Sequence, residues 1–267
     1  MNNKNKIHEK KVINKIINIV KFFLLIKKII VYNFNIWYNK SMKTLLEKYN
    51  LTLTENQIEK FNKYYDILIK YNQMFNITAI TEREEVYEKH FIDSILGVEK
   101  INGKTLIDIG SGGGFPAIPL KIVKDDLSVT LVEATGKKCE FLKAVVKELE
   151  LSNVTVINGR AEDLAKDVKY RENFDVCTAR AVARMNTLSE YCMSFVKVGG
   201  NFVAFKGDGI EEAKEAENAI KILGGKIEEI KEYTLNDAKR TLISVKKIKN
   251  TDKKYPRGNG KERKNPL

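Results

Sequence analysis

The chain has 267 residues, 43% of them hydrophobic, which is enough for a real core and excludes an intrinsically disordered chain. Three cysteines (Cys139, Cys177, Cys192) with no Cys-x-x-Cys spacing, and only two histidines (His8, His90), exclude a disulfide framework and leave no ligand set for a metal, so none is expected. The net charge of +12 is uneven: residues 1–41 carry +8, residues 246–267 carry +7 and residues 42–245 carry −3, so a near-neutral body bears two basic arms.

Residues 1–41 consist largely of Lys, Asn, Ile and aromatics, and their longest apolar run, Phe22–Ile26, is flanked by Lys21, Lys27 and Lys28. A membrane span takes about 20 apolar residues and a secretory signal core about 7–15, so neither is expected. A basic amphipathic helix lying on a membrane surface is one reading of this stretch. The preferred one is an extension outside the folded domain, because a clean domain pattern begins at Met42.

From Met42 to about residue 100 the pattern is helical. Thr54-Glu55-Asn56-Gln57 has the form of a capping box, followed by Ile58, Phe61, Tyr65 and Leu68 at helical spacing. Thr81-Glu82-Arg83-Glu84 has the same form and predicts a second helix through His90, Phe91, Ile95 and Val98.

After Gly103 short β-branched runs alternate with helical stretches. Strands are predicted at Thr105–Ile109, Val129–Glu133, Val154–Asn158, Phe174–Thr178, Asn201–Lys206, Ile227–Thr234 and Thr241–Lys246. Helices are predicted at Pro116–Lys124, Gly136–Glu150, Met185–Lys197 and Gly209–Leu223. This alternation implies an α/β, doubly wound, mostly parallel sheet of seven strands. The link Leu235–Arg240 is too short for a parallel crossover, so the last strand is expected to be antiparallel. The domain plan is thus an extension (1–41), a helical segment (42–100), a Rossmann-like domain (101–248) and a basic C-terminal tail (249–267).

The stretch Asp108-Ile109-Gly110-Ser111-Gly112-Gly113-Gly114-Phe115-Pro116 leaves the first strand and enters a helix. Glycines such as Gly110 and Gly112 permit a tight turn and close approach of a ligand. Asp108, just before the loop, is expected to point into the crevice at the strand ends, where it favours a cationic ligand over a pyrophosphate. Glu133 ends the second strand, 23 residues after Gly110, where an acid accepts hydrogen bonds from ribose hydroxyls. The Gly-Lys-Ser/Thr of a P-loop is missing. Adenosine on Glu133 with a cation by the loop describes S-adenosylmethionine, and the loop resembles the first motif of class I methyltransferases. A nicotinamide-linked oxidoreductase is the alternative on a similar sheet.

The acceptor can be narrowed by what the chain lacks. Its four prolines (Pro116, Pro119, Pro256, Pro266) form no Asn/Asp-Pro-Pro-Tyr/Phe loop of the kind that holds exocyclic amines. Carbon-5 pyrimidine methylation needs a cysteine nucleophile; Cys177 is placed for it but reads as a small buried strand residue. A ring nitrogen such as guanine N7 already carries its lone pair, so catalysis reduces to in-line placement.

Six stretches carry a wider resemblance: Tyr71-Asn72 with Phe75–Ile80, His90–Ser94, Asp108–Leu120, Gly136–Lys138 with Phe141-Leu142, Gly159–Glu162, and Thr178–Ala183; the tail Tyr255–Arg257 with Lys264–Leu267 closes the set. From Met42 onward the chain resembles the bacterial 16S rRNA guanine-N7 methyltransferases, also known as the glucose-inhibited division protein B family. The resemblance implies methylation of guanine N7 at position 527 in the 530 loop, S-adenosylmethionine as donor, 16S rRNA or the small ribosomal subunit as partner, and a cytoplasmic, monomeric enzyme. Methylation of another RNA or of a small molecule is the alternative within the class. Matched to the family's motifs, Gly110 and Phe115 are cofactor contacts in the loop, Glu133 is the ribose acid, Ala161 and Glu162 lie near the adenine, and Arg180 is a further ligand-site position that serves ligand or RNA; no catalytic base is assigned. Gly258-Asn259-Gly260 stands where the family tail is more basic, and residues 1–41 have no counterpart.

Lys137 and Lys138 open a helix, against the dipole, which points to anionic RNA. Lys254, Arg257, Lys261 and Lys264 in the tail are expected phosphate contacts. His90 is expected to pack on Asp93, one turn away, and Tyr71, Phe75 and Phe91 to pack between the helical segment and the sheet.

Overall fold

The structure, a computed structural model, describes residues 20–22 and 42–267. The readings made for the extension otherwise lie outside the described residues. The chain divides at Thr44/Leu45, and the fold below belongs to Leu45–Leu267. Among the described residues no helix is long and apolar enough to cross a membrane.

The seven strands are β1 (Thr105–Ile109), β2 (Ser128–Glu133), β3 (Val154–Asn158), β4 (Phe174–Arg180), β5 (Val196–Lys206), β6 (Gly225–Leu235) and β7 (Ala238–Lys247). They form one sheet in the order β3-β2-β1-β4-β5-β7-β6. The first five pair in parallel, whereas β7 runs antiparallel to both β5 and β6. The β6–β7 link is shorter than expected: Leu235 pairs with Ala238, leaving Asn236 and Asp237, both with positive φ (45° and 62°), as a two-residue hairpin turn. β1 is flanked by β2 on one side and β4 on the other, so the connections leaving β1 and β4 diverge and open a crevice at their carboxyl ends.

β5 begins five residues earlier than its apolar run suggests. Gly199 and Gly200 read as a loop, but Gly200 is a strand residue whose missing side chain admits a neighbour: a Cβ there would lie 2.5 Å from the Asp175 carbonyl oxygen. The helix expected over Gly209–Leu223 is two helices, because Ala216 (φ −86°, ψ −4°) ends one and starts the next.

The helical segment carries α1 (Glu55–Phe75). Its capping box forms in full: the Thr54 side chain accepts from the Gln57 amide while the Gln57 side chain accepts from the Thr54 amide. The apolar face buries Ile58, Phe61, Tyr64 and Leu68. Tyr64, not Tyr65, points inward; Tyr65 lies under the Arg83 guanidinium, 3.9 Å from it. The Tyr64 hydroxyl donates to the carbonyl of Gly113 in the glycine loop, which satisfies the buried polar end of this ring.

The next helical run, α2, comprises Arg83–Val86, a wider π-helical stretch Tyr87–Ile92, and Asp93–Ile95. The second capping box does not form. The helix starts one residue later than Thr81 requires, its N-cap Glu82 makes no side-chain cap, and the Thr81 carbonyl accepts instead from the Tyr65 hydroxyl. Helices α3 (Ala117–Val123) and α4 (Gly136–Glu148) follow β1 and β2 and pack with α1. Gln57 donates to the Ile122 and Val123 carbonyls at the end of α3 (3.2 and 3.3 Å), tying the segment to the sheet layer. Helices α5 (Ala161–Leu164), α7 (Ile210–Glu215) and α8 (Glu217–Ile222) pack around α6 (Met185–Met193), which lies on β4 and β5, while α8 also packs on β6.

An aromatic cluster joins α1, α2 and the glycine loop. Phe91 is fully buried, with ring centroids 5.0 Å from Phe61, 5.1 Å from Tyr64, 5.4 Å from Tyr87 and 5.9 Å from Phe115. Phe91→Ala is expected to cost about 3–5 kcal/mol in chemical denaturation. A loss below about 1 kcal/mol would mean that the segment is not held by this cluster.

Candidate functional site

The chain leaves β1 through Gly110, at φ +70°, where a Cβ would sit 2.7 Å from Val182. The amides of Gly110 and Ser111 donate to the Val132 carbonyl at 2.9 and 3.0 Å, and Ser111 Oγ donates to the Asp108 carbonyl. Glu133, 7% exposed, is held at the end of β2: its Oε2 accepts from the Gly112 amide (2.9 Å) and its Oε1 from the Thr135 amide (2.8 Å). Each oxygen has one of its lone pairs taken and one left, so the carboxylate is oriented by the loop and still able to accept.

Asp108 differs from expectation. β1 spans its expected residues, Thr105–Ile109, but the Asp108 side chain lies wholly buried beneath the loop instead of opening into the crevice. Thr178 Oγ1 on β4 donates to its Oδ1 at 2.7 Å, while Oδ2 has no partner. Burial pushes its pKa up to about 7, against the pull of the Thr178 bond. A buried carboxylate oxygen without a donor is costly, and it fits a cation arriving beside the loop.

A cleft of about 250 Å³ opens at the ends of β1, β2 and β3. Gly110, Ala161 and Glu162 line it as expected, together with Gly159, Arg160, Val182 and Tyr191, and with Gly260 and Arg263 from the tail. Asp108, Gly112, Phe115, Glu133 and Arg180 are not on its wall. Val182, Tyr191 and Arg263 are not assigned to this cleft from the sequence: Val182 lies in the Thr178–Ala183 match but is given no role there, and Tyr191 of α6 and Arg263 of the tail carry no motif that points to it.

Arg180 ends β4 and projects toward α2. Its guanidinium donates to the Lys89 carbonyl (3.1 Å), to Asp93 Oδ2 (3.1 Å) and to His90 Nδ1 (3.1 Å), and it lies 5.0 Å over the Phe115 ring. His90 stacks on the other partner of that layer, Phe115, at 4.5 Å. Because Arg180 can only donate, His90 Nδ1 is an acceptor and Nε2–H donates to Thr78 Oγ1 at 2.9 Å. Burial, then the charge of Arg180, lowers the His90 pKa to about 3, so it stays neutral. His90 does not pair with Asp93 as expected. Asp93 instead accepts from Arg180 and from the Tyr233 hydroxyl (2.8 Å), with Arg240 3.6 Å away. The π-helical turn Tyr87–Ile92 is what presents Lys89, His90 and Asp93 to one guanidinium.

These residues form one end of a second cleft of about 460 Å³, which Lys206 from β5 and Arg240 from β7 also line. Neither cation was singled out from the sequence; the signal available was a Lys at a strand end, next to Gly207. Cys177 is buried in β4, where burial raises its thiol pKa well above the usual range, so it is no nucleophile.

The cations proposed for RNA differ in what they do. Lys137 is exposed, 5.7 Å over the Phe75 ring, and Lys138 is half-buried beside it. Lys254, Lys261 and Lys264 are exposed. Arg257 is committed elsewhere: its Nε and Nη2 grip Glu190 at 2.9 and 2.7 Å.

The 3-2-1-4-5-7-6 sheet, the glycine turn after β1 and the oriented acid ending β2 define a Rossmann-like, S-adenosylmethionine-dependent methyltransferase. The chain matches the family model "rRNA small subunit methyltransferase G" over residues 57–243. It is 48% identical over 230 residues to ribosomal RNA small subunit methyltransferase G of Lactobacillus johnsonii (83% of this chain, 96% of that one). It is 47% identical over 232 residues to the enzyme of the same name in Clostridium beijerinckii (85% and 97%). A solved structure assigned as a transferase from Pyrococcus horikoshii shares the fold, with TM-score 0.50, 13% identity, and 60% of this chain on 63% of that one. The chain belongs to the rRNA small subunit methyltransferase G family, and the nicotinamide reading is set aside with it.

Because His90 is neutral when folded and titrates near 6.5 when unfolded, its stabilising contribution is full above pH 6.5 and is lost as pH falls toward 3. His90→Gln, which keeps an acceptor for Arg180, should flatten the decline of the unfolding midpoint between about pH 6.5 and 4. Parallel declines for both proteins would show that His90 is not buried neutral.

Proposed function

We propose that the protein transfers a methyl group from S-adenosylmethionine to N7 of a guanine in 16S rRNA, at position 527 in the 530 loop, by direct in-line displacement, in the cytoplasm. Small-subunit rRNA as substrate rests on family membership. The choice of a ring nitrogen rests on one observation: the possible bases around Arg180 are already engaged. His90 is neutral with both nitrogens engaged, Asp93 is engaged by Arg180 and Tyr233, and Glu212 by Lys206 (2.7 Å) and the Met185 amide (3.0 Å), which leaves Asp208, 4.0 Å from Lys239, as the loosely held carboxylate of the cleft. That arrangement suits an acceptor that brings its own lone pair, as guanine N7 does.

When bound, S-adenosylmethionine supplies a methyl carbon activated by its sulfonium. Glu133, preset by the Gly112 and Thr135 amides, would accept from the ribose hydroxyls. Gly110 leaves room for the donor at the mouth of β1, and Ala161 and Glu162 flank the nucleoside end. Asp108 Oδ2 is the buried acceptor left over for the cationic amino-acid end. Arg180, fixed by three partners, would orient the acceptor base, with Lys206 and Arg240 meeting phosphate on the same cleft. Lys137, Lys138, Lys254, Lys261 and Lys264 extend the basic track outside it. Guanine N7 is hidden in the deep groove of A-form RNA, so the target base is unpaired or presented by a folded loop.

The test is to incubate the protein with S-adenosylmethionine and unmodified 16S rRNA or small subunits, and to read the digested nucleosides by mass spectrometry. The expected product is 7-methylguanosine mapping to the 530 loop. Gly110→Asp should abolish transfer, and Arg180→Ala should lower kcat/KM by about a hundredfold, since misplacement alone costs on that order. A different methylated nucleoside would reject the N7 assignment.

A further inference from the structure

The C-terminal segment was expected to be a solvated, phosphate-contacting tail. It is instead folded onto the body by interior contacts. Arg171 donates to the carbonyls of Thr251 (2.8 Å), Asp252 (3.1 Å) and Tyr255 (2.9 Å). Tyr255 is buried, and Arg257 makes its two-pronged pair with Glu190, a residue of α6 that is fully buried. The Arg257 amide also donates to Glu190 (2.8 Å). Beyond it a single turn, Lys261–Lys264, buries Glu262 completely: one carboxylate oxygen accepts from the Gly258 amide, and the Glu262 carbonyl accepts from Thr187 Oγ1 at 2.9 Å. A buried charge pair is retained only where its geometry is well satisfied, and two buried acids hold the segment here, Glu190 through Arg257 and Glu262 through the Gly258 amide, with Glu262 Oε2 left without a partner.

What they hold is the outer wall of the first cleft. Glu190 and Tyr191 are neighbours on α6. Glu190 grips the tail, and Tyr191 lines the cleft, with its hydroxyl beside Arg263. Gly260 and Arg263 line the same cleft as Gly110, Ala161 and Glu162. Among the described residues no salt bridge engages the Arg263 guanidinium; its neighbour is the Tyr191 hydroxyl. A guanidinium is planar, carries five donors and stacks on aromatic faces, which suits the ring nitrogens and face of an adenine.

We propose that the C-terminal segment is a wall of the methyl-donor cleft, and that Arg263 contacts the adenosyl half of the donor. This rests on the assignment of that cleft to S-adenosylmethionine. It gives the tail a role in donor affinity that is separate from any contact with RNA.

Calorimetry with S-adenosylhomocysteine on the full chain tests it. Arg263→Ala should weaken binding about tenfold, and 5′-methylthioadenosine, which lacks the amino-acid end, should show a similar loss. Lys264→Ala removes the same charge one residue away and should leave binding of either ligand within about twofold, which separates position from net charge. In turnover, the Arg263→Ala loss should fall on KM for S-adenosylmethionine and not on kcat. Unfolding midpoints of the ligand-free proteins should match, since Arg263 is exposed. If Arg263→Ala binds normally while Gly110→Asp does not bind, the cleft assignment stands and the role of the tail is refuted. If Gly110→Asp also binds normally, the cleft assignment itself is refuted.

Discussion

The Arg180 guanidinium is the contact on which the site depends. It ends β4, yet its partners are the Lys89 carbonyl, His90 and Asp93 on α2, and its lower face lies on Phe115 of the glycine loop. One side chain thereby joins the sheet, the helical segment and the loop. The price of burying that charge is offset by Asp93, and Asp93 is itself fixed by Tyr233 from β6. Neutral His90 follows from the same arrangement, because burial disfavours its charged form and the neighbouring charge of Arg180 adds to that. The helical segment is therefore bound into the same layer as the sheet end and the glycine loop and is no mere appendage.

The two clefts divide the work between the two sides of the point where the strand order reverses. On the β2–β3 side, the glycine turn and the α5 entry make a small, glycine-lined recess, with Glu133 between its lining residues Val132 and Ala134. On the β4–β5 side, Arg180, Lys206 and Arg240, together with Asp93, Asp208 and Glu212, make a larger, charged one. Asp108 lies buried at β1, between them, with an oxygen that nothing in the chain satisfies. That combination suits a cationic small-molecule donor on one side and an anionic acceptor on the other. It also explains why a body with nearly no net charge can engage RNA: the cations are concentrated by topology and by the tail.

Much of this was legible in the sequence. β1 and β3 fall on their expected residues, because short β-branched runs bounded by turn residues have one reading. The antiparallel β7 followed from the length of one link. Errors arose where tertiary contacts outweigh local pattern. Tyr64 replaces Tyr65 on the buried face because its hydroxyl finds the Gly113 carbonyl. The Thr81 box fails because the helix begins one residue later, with Glu82 at the N-cap position. Within the site, Gly110, Ala161 and Glu162 could be placed by motif. The burial of Asp108, the pairing of Asp93 with Arg180 and the arrival of Arg263 depend on which strands become neighbours, and no local spacing encodes that.

The most direct test of this account is a crystal structure of the protein with S-adenosylhomocysteine. The account predicts the nucleoside between Gly110 and the Ala161–Glu162 turn, its ribose hydroxyls on Glu133, and its amino group within hydrogen-bond distance of Asp108 or of the loop above it. Density for the ligand in the Arg180–Lys206 cleft instead, or Glu133 left without a ribose contact, would contradict it.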